Sequence, residues 1–285
     1  MAQAVTSIAR TKDGCQIFYR VHSNAGKARL ALIHSLALSG AMWEEIITQL
    51  AGDMEILAYD CRGHGQSERR PGPYSVELFA DDLAALLDSC GWPSAIVVGC
   101  SMGGCVAQAF TAAYPQRVQG LGLIDTTAWY GPTAPKDWKG RADKAAEGGL
   151  PSMAEFQLSR WFSDRFRQER PDRANEMMRI FLANDVACYQ ATCEMLGKAD
   201  LREAVRRFHM PVSVIVGEED YATPVAMSRS LNESIPNSTL TVIPGGRHLT
   251  PAQCPDEIAK LLRELASQSL RGPAAVGKSN LPVSS

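Results

Sequence analysis

The stretch Val97-Val98-Gly99-Cys100-Ser101-Met102-Gly103-Gly104 decides the fold of this chain. An apolar run typical of a buried strand is followed by a serine between small residues and then by a helical pattern. Gly99 and Gly103 bracket Ser101 in a G-x-S-x-G pattern, because a tight strand-to-helix turn tolerates only small residues there. The pattern predicts that Ser101 is a nucleophile. The backbone N–H of Met102, at the helix start, is then a predicted oxyanion donor.

Two later segments supply an acid and a histidine. Residues 214–217 have the pattern of a buried strand, and Asp220 follows them closely. Residues 240–243 have a similar pattern, and the loop after them carries His248. Serine, acid and histidine in this order are typical of the α/β-hydrolase fold, so the sequence predicts a catalytic triad of Ser101, Asp220 and His248. Asp125 ends the strand after the predicted Ser101 helix and stays open as an alternative acid.

A second oxyanion donor is expected from an earlier strand. Residues 30–33 form an apolar run that closes in the loop His34-Ser35-Leu36. Because the carboxyl ends of parallel strands meet at one edge of a sheet, we predict that the backbone N–H of Leu36 faces Ser101. His64 lies in the next such loop, and we interpret it as a structural turn residue because His248 already completes the triad.

Composition excludes several classes of function. The chain has 285 residues, of which 45% are hydrophobic and 21% are charged, as in a soluble globular protein with a sizeable core. A net charge of −2 favours neither nucleic acid nor an anionic membrane as a partner. The eight cysteines lack C-x-x-C and zinc spacing, so we expect reduced thiols, no metal and no other cofactor. Residues 1–4 do not open a signal peptide, and we expect a cytoplasmic protein.

The alternation of strands and helices predicts the architecture. Strand patterns alternate with helix patterns up to residue 125 and again from residue 212, which indicates an α/β fold with a mostly parallel sheet covered on both faces. Between them lie helical patterns, such as 153–166 and 174–181, without a convincing strand. We therefore predict an α/β-hydrolase core of residues 1–126 and 210–268, with a helical cap of residues 127–209. Residues 269–285 are predicted to be a disordered tail.

Taken together, these motifs resemble the α/β-hydrolase superfamily, and the resemblance extends over residues 10–268. It is carried by residues 99–104, Asp60-Cys61-Arg62-Gly63-His64-Gly65, residues 217–220 and His248. A narrower similarity is to the 3-oxoadipate enol-lactonases. It rests on Pro71-Gly72-Pro73-Tyr74-Ser75, Arg160-Trp161-Phe162-Ser163 and Ala199-Asp200-Leu201-Arg202. The loop His34-Ser35-Leu36-Ala37 departs from these lactonases, which more often carry Ser-Leu-Gly.

The resemblance implies a serine hydrolase that cleaves a carboxylic ester or lactone through an acyl-enzyme, with a small enol-lactone as substrate. Such a lactone carries a carboxylate, so a cation is expected in the pocket, and Arg160 beside Trp161 is the candidate. Trp129 and Trp138 are also predicted to line the pocket. The partner expected from these residues is a small-molecule ester or lactone.

Other functions remain open at this point. A carboxylesterase of broader or aromatic specificity, or a hydrolase of C–C bonds in meta-cleavage products, would use the same serine pattern. A ligand receptor could keep the triad without turnover. A haloalkane dehalogenase is excluded, because that chemistry needs a carboxylate where this chain has Ser101. The sequence also leaves open whether the chain forms a homo-oligomer.

Overall fold

The computed structural model describes residues 4–24 and 27–271. In this part of the chain, eight strands form one sheet in the order β1-β2-β4-β3-β5-β6-β7-β8. The strands are β1 (Ala4–Arg10), β2 (Gln16–His22), β3 (Ala28–Ile33), β4 (Met54–Tyr59), β5 (Ala95–Cys100), β6 (Val118–Ile124), β7 (Val212–Gly217) and β8 (Ser238–Ile243). The pairs β1–β2 and β2–β4 are antiparallel, and the other five pairs are parallel. The predicted α/β-hydrolase sheet is confirmed.

Helices cover the central strands on both faces. They are α1 (Glu44–Leu50), α2 (Val76–Ser89), α3 (Met102–Ala113), α4 (Ala134–Gly148), α5 (Ala154–Trp161), α6 (Asp164–Glu169), α7 (Pro171–Leu182), α8 (Val186–Lys198), α9 (Arg202–Val205), α10 (Val225–Ser234), α11 (Thr250–Gln253) and α12 (Pro255–Leu270). Short 3-10 helices lie at Gly40–Trp43, Pro115–Arg117 and Leu150–Met153. Every residue of β5 and of β7 is buried, as their unbroken apolar patterns predict for parallel strands with helices on both sides.

The segment between β6 and β7 is helical and consists of α4 to α9. Helix α4 packs closely along α8, where a Cβ on Gly197 would lie 3.2 Å from the Cβ of Trp138. The helix predicted over 153–166 is divided, because the chain is extended at Phe162 and Ser163 starts α6 by accepting a hydrogen bond from the N–H of Phe166 (3.2 Å). These helices fall inside the range predicted for the cap.

The last described helix, α12, continues to Leu270 and so passes the predicted end of the core at residue 268. Residues 272–285, which make up most of the predicted tail, lie outside the described residues. None of the helices in the described ranges combines the length and hydropathy needed to cross a lipid bilayer.

Candidate active site

Ser101 occupies the turn between β5 and α3 with an unusual backbone conformation. Its φ is 54° and its ψ is −116°, a region that is strained for a residue with a side chain. The end of β6 holds this turn, since the N–H of Ser101 donates to the carbonyl of Ile124 (2.9 Å) and the hydroxyl of Thr126 donates to the carbonyl of Ser101 (2.8 Å). The serine is thereby fixed at the carboxyl edge of the sheet.

The glycines around Ser101 are a steric requirement of this turn. A Cβ on Gly99 would lie 2.0 Å from the carbonyl oxygen of Gly103, and a Cβ on Gly103 would lie 2.3 Å from that of Ile33. A Cβ on Gly104 would lie 2.5 Å from the side chain of Thr126. None of these three positions therefore has room for a side chain, which explains the spacing seen in the sequence.

The structure brings together the three residues predicted as a triad. His248 Nε2 lies 2.9 Å from Ser101 Oγ, and His248 Nδ1 lies 2.9 and 3.0 Å from the two carboxylate oxygens of Asp220. All three residues are buried. Asp220 is itself oriented by the N–H of Ala222 (2.7 Å) and by the N–H and hydroxyl of Thr223 (2.9 and 2.8 Å).

The alternative acid, Asp125, has other partners. Its carboxylate accepts hydrogen bonds from the N–H of Gly217 (3.1 Å), and from the N–H and hydroxyl of Thr250 (2.9 and 2.8 Å). It therefore links the end of β6 to the start of the Asp220 loop and to the residues just after His248. Among the described residues, Asp220 and not Asp125 contacts the imidazole of His248.

The two buried carboxyls differ in their proton affinity. Burial alone would raise the pKa of Asp220, but the adjacent His248 and the hydrogen bonds from His248 and Thr223 outweigh it, and the pKa lies below its ordinary value. Burial, followed by the charge of Asp220, raises the pKa of Asp125 well above its ordinary value. Asp220 is thus the ionised partner for His248 at neutral pH.

The two predicted oxyanion donors, Met102 and Leu36, both belong to segments that adjoin Ser101 or its cavity. Met102 is the first residue of α3, where a backbone N–H has no partner within its own helix. Leu36 lines the same cavity as Ser101. Within residues 4–24 and 27–271, neither the N–H of Met102 nor that of Leu36 has a hydrogen-bond acceptor. Both remain available to a ligand oxygen.

A cavity of about 30 Å³ lies over Ser101 and has room for about two water molecules. The helical segment contributes six of its lining residues, namely Tyr130, Trp138, Arg141, Gln157, Arg160 and Trp161. The predicted residues Trp138, Arg160 and Trp161 therefore share one cavity with Ser101 and His248.

The structure does not bring Trp129 into this cavity. This residue lines a separate surface groove, where its ring lies under the guanidinium of Arg202, 3.8 Å from that group. A backbone bridge between Trp129 and Asp200 fixes this direction, which the local sequence does not reveal.

Six lining residues were not predicted from the sequence, namely Ser35, Tyr130, Arg141, Gln157, Ala222 and Thr223. Two of them, Arg141 and Gln157, lie on helices. Arg141 follows Trp138 by three residues on α4, and Gln157 precedes Arg160 by three residues on α5, so each shares a helix face with a predicted residue. Helical periodicity applied to Trp138 and Arg160 could have found both.

Hydrogen bonds attach α5 directly to the histidine loop. The N–H of His248 donates to the carbonyl of Arg160 (3.3 Å), and the N–H of Leu249 donates to that of Trp161 (3.2 Å). The side chain of Arg247 donates to the carbonyls of Ser159 (2.8 Å) and Phe162 (3.0 Å). The same guanidinium pairs with Asp164 (3.1 Å) and Glu219 (3.3 Å), so it joins α5 and α6 to the loops of Asp220 and His248.

The chain belongs to the alpha/beta hydrolase fold family, whose model matches residues 29–252. It is 31% identical over 233 residues to 3-oxoadipate enol-lactonase 2 of Acinetobacter baylyi, covering 82% of this chain and 86% of that protein. Its structure is similar to the enol-lactonase from Burkholderia xenovorans LB400, with a TM-score of 0.87, 28% identity and coverage of 92% and 100% of the two chains. A thermophilic esterase from Thermogutta terrifontis gives a TM-score of 0.85, 26% identity and coverage of 94% and 99%. The resemblance read from the sequence is confirmed.

Proposed function

We propose that this protein hydrolyses a small carboxylic ester or lactone through an acyl-enzyme on Ser101, and that its substrate is an enol-lactone such as 3-oxoadipate enol-lactone. The observation that carries the proposal is the hydrogen-bonded line from Ser101 Oγ through His248 to Asp220. Similarity to two enol-lactonases supports the choice of substrate. The domain arrangement we propose is a hydrolase core with residues 127–209 as a cap over this site.

In the first half-reaction, Ser101 Oγ bonds to the carbonyl carbon while its proton passes to His248 Nε2. The N–H groups of Met102 and Leu36 stabilise the oxyanion, and loss of one such donor typically costs about 3–4 kcal/mol. The C–O bond of the ester or lactone then breaks, and its oxygen takes the proton from His248. Ionised Asp220 keeps the imidazole in the required tautomer and stabilises its charged form.

In the second half-reaction, His248 removes a proton from a water molecule whose oxygen attacks the acyl carbon. The bond from that carbon to Ser101 Oγ breaks, and the serine regains its proton from His248. The products are a carboxylic acid and the alcohol or enol. With a cyclic substrate these two groups stay in one molecule.

The test measures turnover of the purified protein with an enol-lactone, a neutral nitrophenyl ester and a vinylogous dienoate. We expect multiple turnovers of the lactone, and at least about a thousandfold loss of rate in Ser101→Ala without a change in thermal midpoint. Preference for the neutral ester would retire the lactonase assignment in favour of a general carboxylesterase. Consumption of the dienoate alone would indicate a C–C hydrolase, and near-normal turnover by Ser101→Ala would remove the mechanism.

A further inference from the structure

Arg141 places a positive charge in the cavity wall, and the described part of the chain provides no anionic partner for it. Its Nε donates to the hydroxyl of Tyr189 (2.6 Å), and its guanidinium lies 5.1 Å from the ring centre of Trp138. No carboxylate oxygen of the described residues lies within 4.0 Å of its nitrogens. The aromatic surroundings hold the guanidinium in place but do not neutralise it.

Arg141 is part-buried, whereas the two buried arginines of the described chain are both neutralised. The side chains of Arg62 and Arg173 are 3% and 4% exposed. Each pairs with two carboxylates, Asp13 and Asp82 for the first and Glu45 and Glu176 for the second. A cation removed from water is unfavourable unless an anion compensates it. For Arg141, the open side of the cavity is where such an anion can enter.

Gln157 is a second unsatisfied group in the same wall. It is 2% exposed, and its amide nitrogen Nε2 has no hydrogen-bond partner among the described residues. A buried donor without an acceptor is rare in native proteins and calls for an explanation. A carboxylate offers about four lone-pair sites, so one such group can accept from both Arg141 and Gln157.

Arg160 is less suited to this role, although it also lines the cavity. Its Nη2 donates to the carbonyl of Tyr221, and its guanidinium lies 5.0 Å from the ring centre of Phe156. The rings of both these neighbours are about half exposed, so Arg160 lies toward the surface. Burial and then the positive charge of Arg141 lower the pKa of Arg160, so an anion between the two guanidiniums would relieve their repulsion.

We propose that Arg141 and Gln157 form an anion subsite that binds the carboxylate of the substrate, with Arg160 in a secondary role. The substrate class is a monoanionic ester or lactone whose carboxylate is a short chain away from the reacting carbonyl, because one small cavity contains both Ser101 and Arg141. The placement of the reacting carbonyl at Ser101 rests on the proposed function, whereas the binding of the carboxylate by Arg141 and Gln157 does not depend on it.

The test measures binding without turnover, in the Ser101→Ala variant, by titration calorimetry. The ligands are monomethyl glutarate, which is an anion, and dimethyl glutarate, which is its neutral counterpart. We expect the monoester to bind at least tenfold more tightly than the diester. Adding Arg141→Met to this variant should weaken binding of the monoester at least tenfold and change the affinity for the diester less than twofold. Arg141→Lys keeps the charge but loses the planar guanidinium. Its affinity for the monoester should lie between that of the variant with Arg141 intact and that of Arg141→Met.

Arg165→Met is the matched control, because Arg165 is exposed on α6 and, within the described ranges, pairs only with Glu169. It should change neither affinity. If Arg141→Met and Arg141→Lys weaken the binding of both ligands equally, the subsite is overturned and Arg141 is structural. Unchanged binding of the monoester in Arg141→Met would also overturn the subsite. If the wild-type protein hydrolyses no ester while Ser101→Ala still prefers the anion, the subsite stands and the proposed function fails. If the wild-type protein hydrolyses both esters with equal kcat/KM, the proposed function stands and the anion subsite fails.

Discussion

Replacement of Arg247 by methionine should loosen the attachment of α5 to the site. The change keeps most of the apolar stem and removes the donors to Ser159 and Phe162, whose carbonyls lie at the end of α5. Hydrogen bonds from a charged group each contribute about 1.5–3 kcal/mol. The ion pairs to Asp164 and Glu219 add little, since those carboxylates are 69% and 44% exposed. We expect the free energy of unfolding to fall by about 3–6 kcal/mol.

Activity should change in a defined way. Because α5 carries Gln157, Arg160 and Trp161, a looser α5 should raise KM, and the loss of its bonds to the His248 loop should lower kcat. Urea denaturation and steady-state kinetics measure the two effects. In the control Arg165→Met only an exposed pair within one helix is lost, which costs about 0.3–0.5 kcal/mol. If the Arg247 and Arg165 variants agree in stability and in kcat/KM, this account of α5 is refuted.

Three further outcomes are expected. Ala37→Gly should stabilise the protein by about 0.5–1 kcal/mol in urea denaturation, because Ala37 has a φ of 57° where the lactonases more often carry glycine; a loss of stability would contradict this. Asp220→Asn should reduce kcat/KM about a thousandfold or more, and Asp125→Asn less than tenfold, while the reverse ranking would make Asp125 the triad acid. Burial lowers the pKa of His64 to about 3, so between pH 6.5 and 3 the unfolded chain binds a proton that the folded chain does not. Stability should fall as pH falls through this range, by up to about 1.4 kcal/mol per pH unit, with a flatter slope in His64→Gln. An unchanged slope in that variant would contradict this expectation.

The core was predictable because its signals are local. Short apolar runs such as Met54–Tyr59, in a chain where strand and helix patterns alternate, favour buried strands. The small residues around Ser101 mark the tight turn between a strand and a helix. Ser75 likewise starts α2 by accepting from the N–H of Leu78 (3.1 Å), as expected at that end. The strand, turn or helix to which such a residue belongs can therefore be predicted from its neighbours in the sequence.

The cavity wall was predicted less well because its contacts are distant in sequence. Helix α4 has few large apolar residues, and its packing depends on α8, which begins much later in the chain. The direction of Trp129 depends on Asp200. Whether Arg141 has a counter-ion can be known only after the helices are assembled, so its charge looked like that of any other surface arginine in the sequence.

The central claim, that Ser101 is the nucleophile held by His248 and Asp220, is tested most directly by covalent labelling. The protein is treated with a serine-directed fluorophosphonate, and the modified peptide is located by mass spectrometry while hydrolysis is followed. We expect one label per chain, on Ser101, with loss of activity in step with labelling and much slower labelling of Asp220→Asn. A label on another residue, or full activity in a completely labelled protein, would contradict the account.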